Sequence, residues 1–437
     1  HADKHFFAFH PITNDLYECN DGGLYVTSDG GSSWNDISNG LGIGQIYRIS
    51  TSATQSDNVI CGLQDNGTKE LSSGNWADRS GGDGMECIID YTNSSIKYVS
   101  FQEGVVLKTT DNFLTYTPIV LNNSSGVNEK GAWVTPYLMH PNNNNTLIIG
   151  KSQVFETTDG GSTWNTLGNI PINSMIKSMA YAPSNPLVIY VASQDSLFKT
   201  IDGGNSWSLF QISNKTITDL CVDPNDENRL WVSNSGYDNN DLVWLLDSIG
   251  NPTNYSGTSL PNVPVNCIIH DNSSNNGLYI GTDLGVYYRN DTITDWIYFS
   301  TNMPNVVVNE LEISYINSKI WAGTYGRGLW QCDIVISGCT DPLALNYDQN
   351  ASLDDGDCTY SSNCTSPKPD GLYAYDIIDI RAKIGWNNMN DSTCMLWKYF
   401  VRYREVGTSG WTTKSAGVGN GLCNFGLNTV TKQLLNL

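Results

Sequence analysis

Residues 155–164 read FETTDGGSTW, and two further stretches repeat that decapeptide with small changes: YVTSDGGSSW at 25–34 and FKTIDGGNSW at 198–207. Each has a β-prone start, a DGG centre and a closing Trp. Asp followed by two glycines suits a tight turn, because glycine tolerates positive φ and a short carboxylate accepts N–H bonds across its own turn. The Trp then carries a large apolar ring past the turn, into the gap between neighbouring elements. Asp29, Asp159 and Asp202, with Trp34, Trp164 and Trp207, therefore read as scaffold rather than as a reactive site.

The decapeptide sits inside a longer unit. Strand–turn–strand segments recur as LYECNDGGLYV from Leu16, VICGLQDNGTKEL from Val59, KYVSFQEGVVL from Lys97 and LIIGKSQVFET from Leu147. They continue as IYVASQDSLFKT from Ile189, LWVSNSGYDNNDLVWL from Leu230, LYIGTDLGVYY from Leu278 and IWAGTYGRGLW from Ile320. These are about eight copies at a spacing of about 40–48 residues, the period of a four-stranded propeller blade. Alternation of apolar and polar residues within each run favours strands over helices. The fold class is all-β: a β-propeller of about seven or eight blades over residues 1–334, followed by a C-terminal β-sandwich. The last unit, Asn309–Ile334, shows three strands, and upstream sequence could complete it.

Composition sets bounds on partners. The 437 residues carry 23 Lys and Arg against 44 Asp and Glu, a formal charge of -21. Such a surface repels phosphate backbones, which argues against nucleic acid and leaves cations and neutral or cationic ligands. No apolar run is long enough to span a membrane as a helix. The opening HADKHFFAFHP has neither the basic leader nor the apolar core of a signal peptide, and His1 as first residue fits a processed chain. Of eleven cysteines, Cys19, Cys61, Cys87, Cys221, Cys267 and Cys332 lie among strand-like runs and read as buried thiols. Cys339, Cys358, Cys364, Cys394 and Cys423 crowd the last quarter among turns, as disulfides of an oxidising, extracellular setting do.

The DGG units resemble the Asp box of sialidases, sortilin-type receptors and related bacterial propellers, in which the box is structural and lies away from the binding face. GLQDNGT at Gly62, GGDGMECIIDY at Gly81, GAWVTPY at Gly131 and TYGRGLW at Thr324 look like secreted propellers of Gram-negative bacteria that use type IX secretion. That resemblance implies a secreted or cell-surface protein, further blades ahead of the HADKH segment, and a sorting domain beyond Leu437. It also implies O-glycosylation at Asp-Ser/Thr-apolar (or Thr) tripeptides, here on Ser196, Ser248, Thr292 and Ser392. Residues 337–362 resemble a short surface-protein repeat of the GCTDP…DDGSC kind. Cys339 and Cys358 bracket it, and a disulfide between them closes the loop. Asp348, Asn350, Ser352 and Asp354 set oxygens at alternating positions, as calcium loops do, although Leu353 stands where an EF-hand needs Gly. Residues 365–437 look like a fibronectin type III domain, with Trp386 on its second strand and YFVRYR on its third, stopping short of its last strands.

Propellers bind ligands at the turns between second and third strands. Here those turns supply Asp21, Asp65, Glu103, Asp195, Asp241 and Asp283, with Tyr325 and Arg327 from the last unit. Such carboxylates could hold a cation or, in pairs, hydrolyse a glycoside. Solvated acidic turns are the bland reading. A hydrolase resembling the two-propeller xyloglucan enzymes needs two Asp facing one another, and Asp65 and Asp83 are the candidates. The propeller's arginines, Arg48, Arg79, Arg229, Arg289 and Arg327, show no sialidase arrangement. His1, Asp3 and His5 alternate along one strand, a possible metal trio or a plain strand edge. Two functions compete: a surface adhesin recognising glycan or protein, alone or in a larger assembly, and a polysaccharide hydrolase. Fold alone does not choose between them.

Overall fold

The computed structural model describes residues 1, 3–121, 126–212, 215–237, 241–248, 251–274, 276–342, 344–359, 369–378, 380–390, 398–408, 410–417 and 430–435. Among them there is no α-helix, and so none long and apolar enough to cross a membrane; one 3₁₀ turn, Gln102–Gly104, interrupts a succession of strands. The chain divides into two compact units, His1–Ile334 and Val335–Leu437.

The first unit is a β-propeller. Eight antiparallel sheets follow one another along the chain, each a simple meander, seven with four strands and the last with three. In sheets two to eight the innermost strands are Ile46–Thr51, Cys87–Ile89, Tyr137–His140, Ser178–Tyr181, Ile217–Asp223, Val265–Asp271 and Val308–Ser314. Residues of all seven line one axial cavity of about 230 Å³. The ring closes where the eighth sheet packs on the second. There Asn309 Nδ2 donates to the Ile46 carbonyl at 2.9 Å, and Arg48 donates back to the Asn309 carbonyl at 3.3 Å.

The first sheet stands outside this ring. Its inner strand, Lys4–Phe9, is exposed along its whole length, whereas Ile46, Ile49, Cys87 and Ile89 at matching places in the ring are buried. Eight sequence copies thus make a seven-bladed ring plus one separate sheet. A blade's sequence encodes its own strands and turn, but not which ring it joins, so counting copies cannot settle the closure.

The DGG turn has one geometry wherever it occurs. In the fourth sheet, Thr157 Oγ1 donates to Asp159 Oδ1 at 2.8 Å, and that oxygen accepts from the Ser162 and Thr163 N–H groups, each at 2.9 Å. Thr163 Oγ1 donates to the other oxygen at 2.7 Å, while Gly160 and Gly161 take φ of 72° and 101°. These donors, the Thr163 N–H foremost, hold the Asp159 carboxyl down to about 2. Asp202 is held in the same way, and so is Asp111 in the variant turn TTDNFLTY.

Beyond the turn, the aromatic reaches back to the preceding sheet. Trp164 Nε1 donates to the Ile119 carbonyl, Trp207 Nε1 to Leu167 and Trp296 Nε1 to Tyr255, each at 2.9 Å; Tyr116 Oη donates to the Arg79 carbonyl. Every one of those carbonyls belongs to the last strand of the sheet before, or lies just past it. One side chain therefore joins apolar burial to a fixed lateral register.

Charge collects on the axis. Arg48 Nε lies 3.2 Å from Glu86 and 3.0 Å from Glu310, while Asp219 accepts from the Leu220 and Ile268 N–H groups and from Ser178. Glu312 lines the same cavity with no hydrogen-bond partner among the described residues. Burial, then the charge of Glu86, pushes its carboxyl up to about 8.

In the second unit, Ser337–Gly338 pairs in parallel with Leu353–Asp354, and Cys339 and Cys358 are disulfide-bonded. Beyond that loop, Tyr373–Ile378, Arg381–Gly385 and Thr431–Leu435 form one sheet, and Lys398–Tyr403 pairs with Thr412–Gly417. Buried Trp386 and Tyr399, with ring centroids 5.1 Å apart, form the core. Cys364, Cys394 and Cys423 lie outside the described residues. Of the six cysteines expected to be buried thiols, all are free but only Cys61, Cys87 and Cys267 are buried, and burial raises each of these three thiols' pKa. Cys19 and Cys221 are half-buried, and Cys332, on an outer strand, is exposed.

Two expectations follow. Trp164, 6% exposed, should cost about 3–5 kcal/mol when changed to Ala, whereas Trp34, 36% exposed, should leave the melting temperature of this chain almost unchanged. Differential scanning calorimetry of the two variants checks this. The folded state keeps a proton on Glu312 up to about pH 8, against 4.5 for an ordinary glutamate, so this group's contribution to stability falls as pH rises through that window. Melting temperatures of Glu312→Gln should decline less across it than those of the unmodified chain.

Candidate functional site: an acidic and aromatic patch at the second-sheet turn

The turn Gln64–Asn66 joins two strands of the second sheet and is held from several sides. Asp65 takes a left-handed φ of 57°, and its N–H donates to Asp83 Oδ1 at 2.6 Å. Gln102 Nε2 occupies the other Asp83 oxygen. Asp83 is thus a brace for the Asp65 turn, with both oxygens engaged. Asn66 Nδ2 reaches the Asp21 carbonyl at 2.9 Å, tying the separate first sheet to the ring.

This tie gathers carboxylates. Oxygens of Asp3, Asp21 and Asp65 lie within 4.8 Å of one another. The histidines beside them point to different partners: His1 Nε2 lies 2.9 Å from the Asp65 carbonyl, and His5 Nε2 lies 2.5 Å from Asp21 Oδ1. His1, Asp3 and His5 therefore do not converge as a trio; Asp3 joins the aspartates instead. The hydrogen bond that His5 donates to Asp21 raises the His5 pKa, which favours an imidazolium that offsets part of the negative charge. Desolvation, and then Asp83, Asp21 and Asp3, push the Asp65 carboxyl above its usual range. Three clustered carboxylates can share a cation or a proton.

Aromatic groups border the cluster. Tyr47 and Tyr325 both donate to Gln64 Oε1, the former at 3.0 Å, and their rings lie 5.7 Å apart. Trp133 Nε1 donates to Tyr47 Oη at 3.2 Å, with the indole 52% exposed. Glu103 joins through its backbone, which donates to the Trp133 carbonyl and accepts from the Gly131 N–H, while its side chain pairs with Lys130 at 2.6 Å. Sheets two, three and eight, and the loop ahead of sheet four, thus supply one surface: an exposed indole, two phenols, an amide and an acidic group.

The remaining turn residues stand apart. Asp195 accepts from Ser196 Oγ, Asp241 from Trp244 Nε1 with Lys215 at 3.5 Å, and Asp283 from Asn266; Arg327 donates to its neighbour's carbonyl at Gly326. In the second unit, the Asp348 carboxylate accepts from the Asn350 N–H, Ser352 Oγ from Ile336 and Asp354 from Gly356. Asn350 is exposed. Of the tripeptide hydroxyls, Ser248 and Thr292 are exposed, Ser196 opens a strand and is half-buried, and Ser392 lies outside the described residues. Tyr47, Gln64 and Trp133 were not singled out from sequence. Trp133 sits in the GAWVTPY segment, yet its meeting with Tyr47, 86 residues away, depends on ring geometry.

No family model matches the sequence, and no curated protein matches it. Solved structures do. An ancestral GH74 enzyme is 15% identical with a TM-score of 0.57, over 80% of this chain and 53% of that one. A GH74 xyloglucanase from Xanthomonas campestris is 13% identical with a TM-score of 0.53, over 67% of this chain and 52% of its own. YCF48 bound to a D1 peptide is 13% identical with a TM-score of 0.50, over 67% of this chain and 93% of that chain. At such identities the likeness is one of fold, the β-propeller. The chain spans about half the length of these GH74 structures.

Proposed function

We propose that this is an extracellular carbohydrate-binding propeller, with the patch around Trp133 and Asp65 as its contact surface, displayed on the modules of the second unit. The observation that carries this reading is the exposed Trp133 indole, hydrogen-bonded through Tyr47 to Gln64 beside the carboxylate cluster. A bare aromatic plane stacks on the apolar face of a sugar ring, and nearby carboxylate groups accept from its hydroxyls. The disulfide fits an oxidising compartment, and the acidic surface disfavours phosphate-rich partners. On this reading the DGG turns are Asp boxes with a purely structural role.

A second reading, glycoside hydrolysis, draws on the same cluster. Asp65, with its carboxyl held toward the protonated form, is the candidate acid, and Asp21 or Asp3 the partner carboxylate. The engagement of both Asp83 oxygens favours binding, because the Asp65–Asp83 pair then lacks a free base. A glycan array on the 437-residue chain, followed by reducing-sugar assays on every glycan bound, separates the two readings. Under the binding reading Trp133→Ala should weaken affinity by about tenfold, near 1.4 kcal/mol, with no sugar released. Sugar release that disappears in Asp65→Asn would establish the hydrolase instead. Binding that survives Trp133→Ala at full strength would move the contact surface elsewhere.

Export by type IX secretion, as a surface protein of a Gram-negative bacterium, belongs to the same proposal. The exposed Ser248 and Thr292 are then the best-placed glycan acceptors, since a bulky modification meets no packing there. Glycopeptide mass spectrometry on protein from its source should find at least one of them modified.

A further inference from the structure

The loop that presents Trp133 is fastened by a buried lysine. The turn between the middle strands reads Gln64-Asp65-Asn66 in the second sheet and Gln102-Glu103-Gly104 in the third, each with an acidic residue; in the fourth it reads Lys151-Ser152-Gln153. Lys151 is 0% exposed, and its Nζ donates to the Glu129 carbonyl at 2.8 Å and to the Glu103 carbonyl at 3.3 Å. An ammonium out of water is costly unless oxygens surround it, and these oxygens belong to the Trp133 loop and to the turn beside it.

Other bonds converge on the same junction. The Ser152 N–H and hydroxyl and the Gln153 N–H all donate to the Glu129 carboxylate. Glu103 takes a left-handed φ of 62°, and both its backbone groups serve the loop. Its N–H donates to the Trp133 carbonyl at 3.3 Å, and its carbonyl accepts from the Gly131 N–H at 2.9 Å as well as from Lys151. Thr135 Oγ1 donates to the Ala132 carbonyl at 2.6 Å. The packing leaves no slack: a Cβ on Gly131 would lie 2.3 Å from Thr135 Oγ1, and one on Gly104 2.9 Å from Thr135 and 3.1 Å from Lys151 Cε. Lys130, by contrast, pairs with the Glu103 carboxylate from a side chain that is 66% exposed, so solvent screens that pair.

We propose that Lys151 is the positioning residue of the contact surface: its ammonium ties the Glu103 turn to the Glu129–Trp133 loop and so fixes the angle at which the indole meets a ligand. What the indole meets rests on the carbohydrate-binding reading above; how it is aimed rests on the hydrogen bonds alone. Burial lowers the Lys151 pKa to about 8, against 10.5 for an ordinary lysine, with Glu129 and Glu103 as the charges that oppose the fall. The amine left after deprotonation has two donors instead of three, and no charge to strengthen them. Between about pH 8 and 10.5 the unfolded chain binds this proton more tightly than the folded one, so the group's contribution to global stability rises with pH. Loosening of the loop in that window is therefore local and not a sign of unfolding.

Fluorine NMR of the 437-residue chain carrying fluorotryptophan tests this without any ligand, the Trp133 resonance being assigned by its absence from Trp133→Phe. That resonance should shift with a midpoint at about pH 8, while those of Trp164 and Trp207 hold. A Trp133 resonance that stays flat through the window would overturn the proposal. In Lys151→Met, which keeps the stem and loses the donors, the titration should vanish. The Gly131 amide should there exchange with solvent about tenfold faster at neutral pH, the scale of one charged hydrogen bond. Unchanged Gly131 exchange in a folded Lys151→Met would overturn the proposal equally; if that variant does not fold, the titration of the unmodified chain decides alone. On the glycan array, Lys151→Met should weaken by about tenfold every glycan that Trp133→Ala weakens. A blank array would remove the carbohydrate reading and leave the fluorine titration to decide the role of Lys151.

Discussion

A succession of twisted sheets becomes a propeller only when its last member covers its first, and here one arginine marks that junction. Arg48, on the inner strand of the second sheet, bonds to Glu310 and to the Asn309 carbonyl of the eighth, and to Glu86 of the third. Three consecutive blades of the closed ring therefore share one guanidinium. The junction has a cost: gathering Glu86, Glu310 and Glu312 around the axis raises all three carboxyl pKa values, and burial is the leading cause in each. Ring closure thus rests on apolar packing between sheets, as between Ile46, Ile49 and Trp321, with the ion pairs fixing register.

Much of this architecture is legible from local sequence. A DGG turn needs only its own Thr, Asp and glycines, so residues 155–164 predict their hydrogen bonds almost unaided. The same holds for the strands, whose alternation is a property of a few consecutive residues. Ring membership is not local. Whether Lys4–Phe9 lines the axis or faces water depends on which sheets flank it, and no residue in that strand records the answer.

The candidate site shows the same divide. Asp21 and Asp65 are readable as turn carboxylates, and the tie between the first sheet and the ring brings them together with Asp3. Asp65 and Asp83 also meet, but through a backbone N–H, which makes one the support of the other rather than its catalytic counterpart. Tyr47, Gln64, Trp133 and Tyr325 come from different sheets or the loops beside them, and no pattern of spacing announces their contact. A surface assembled from several blades is visible only once the blades are in place.

The buried cysteines bear on the order of events during maturation. Cys61, Cys87 and Cys267 are held as thiols by burial, and disulfide exchange needs the thiolate. An unfolded chain, by contrast, would present them all to the same oxidant that joins Cys339 to Cys358. The ring therefore acts as a protecting group for these three nucleophiles once folded, whereas Cys332, on its last strand, stays exposed.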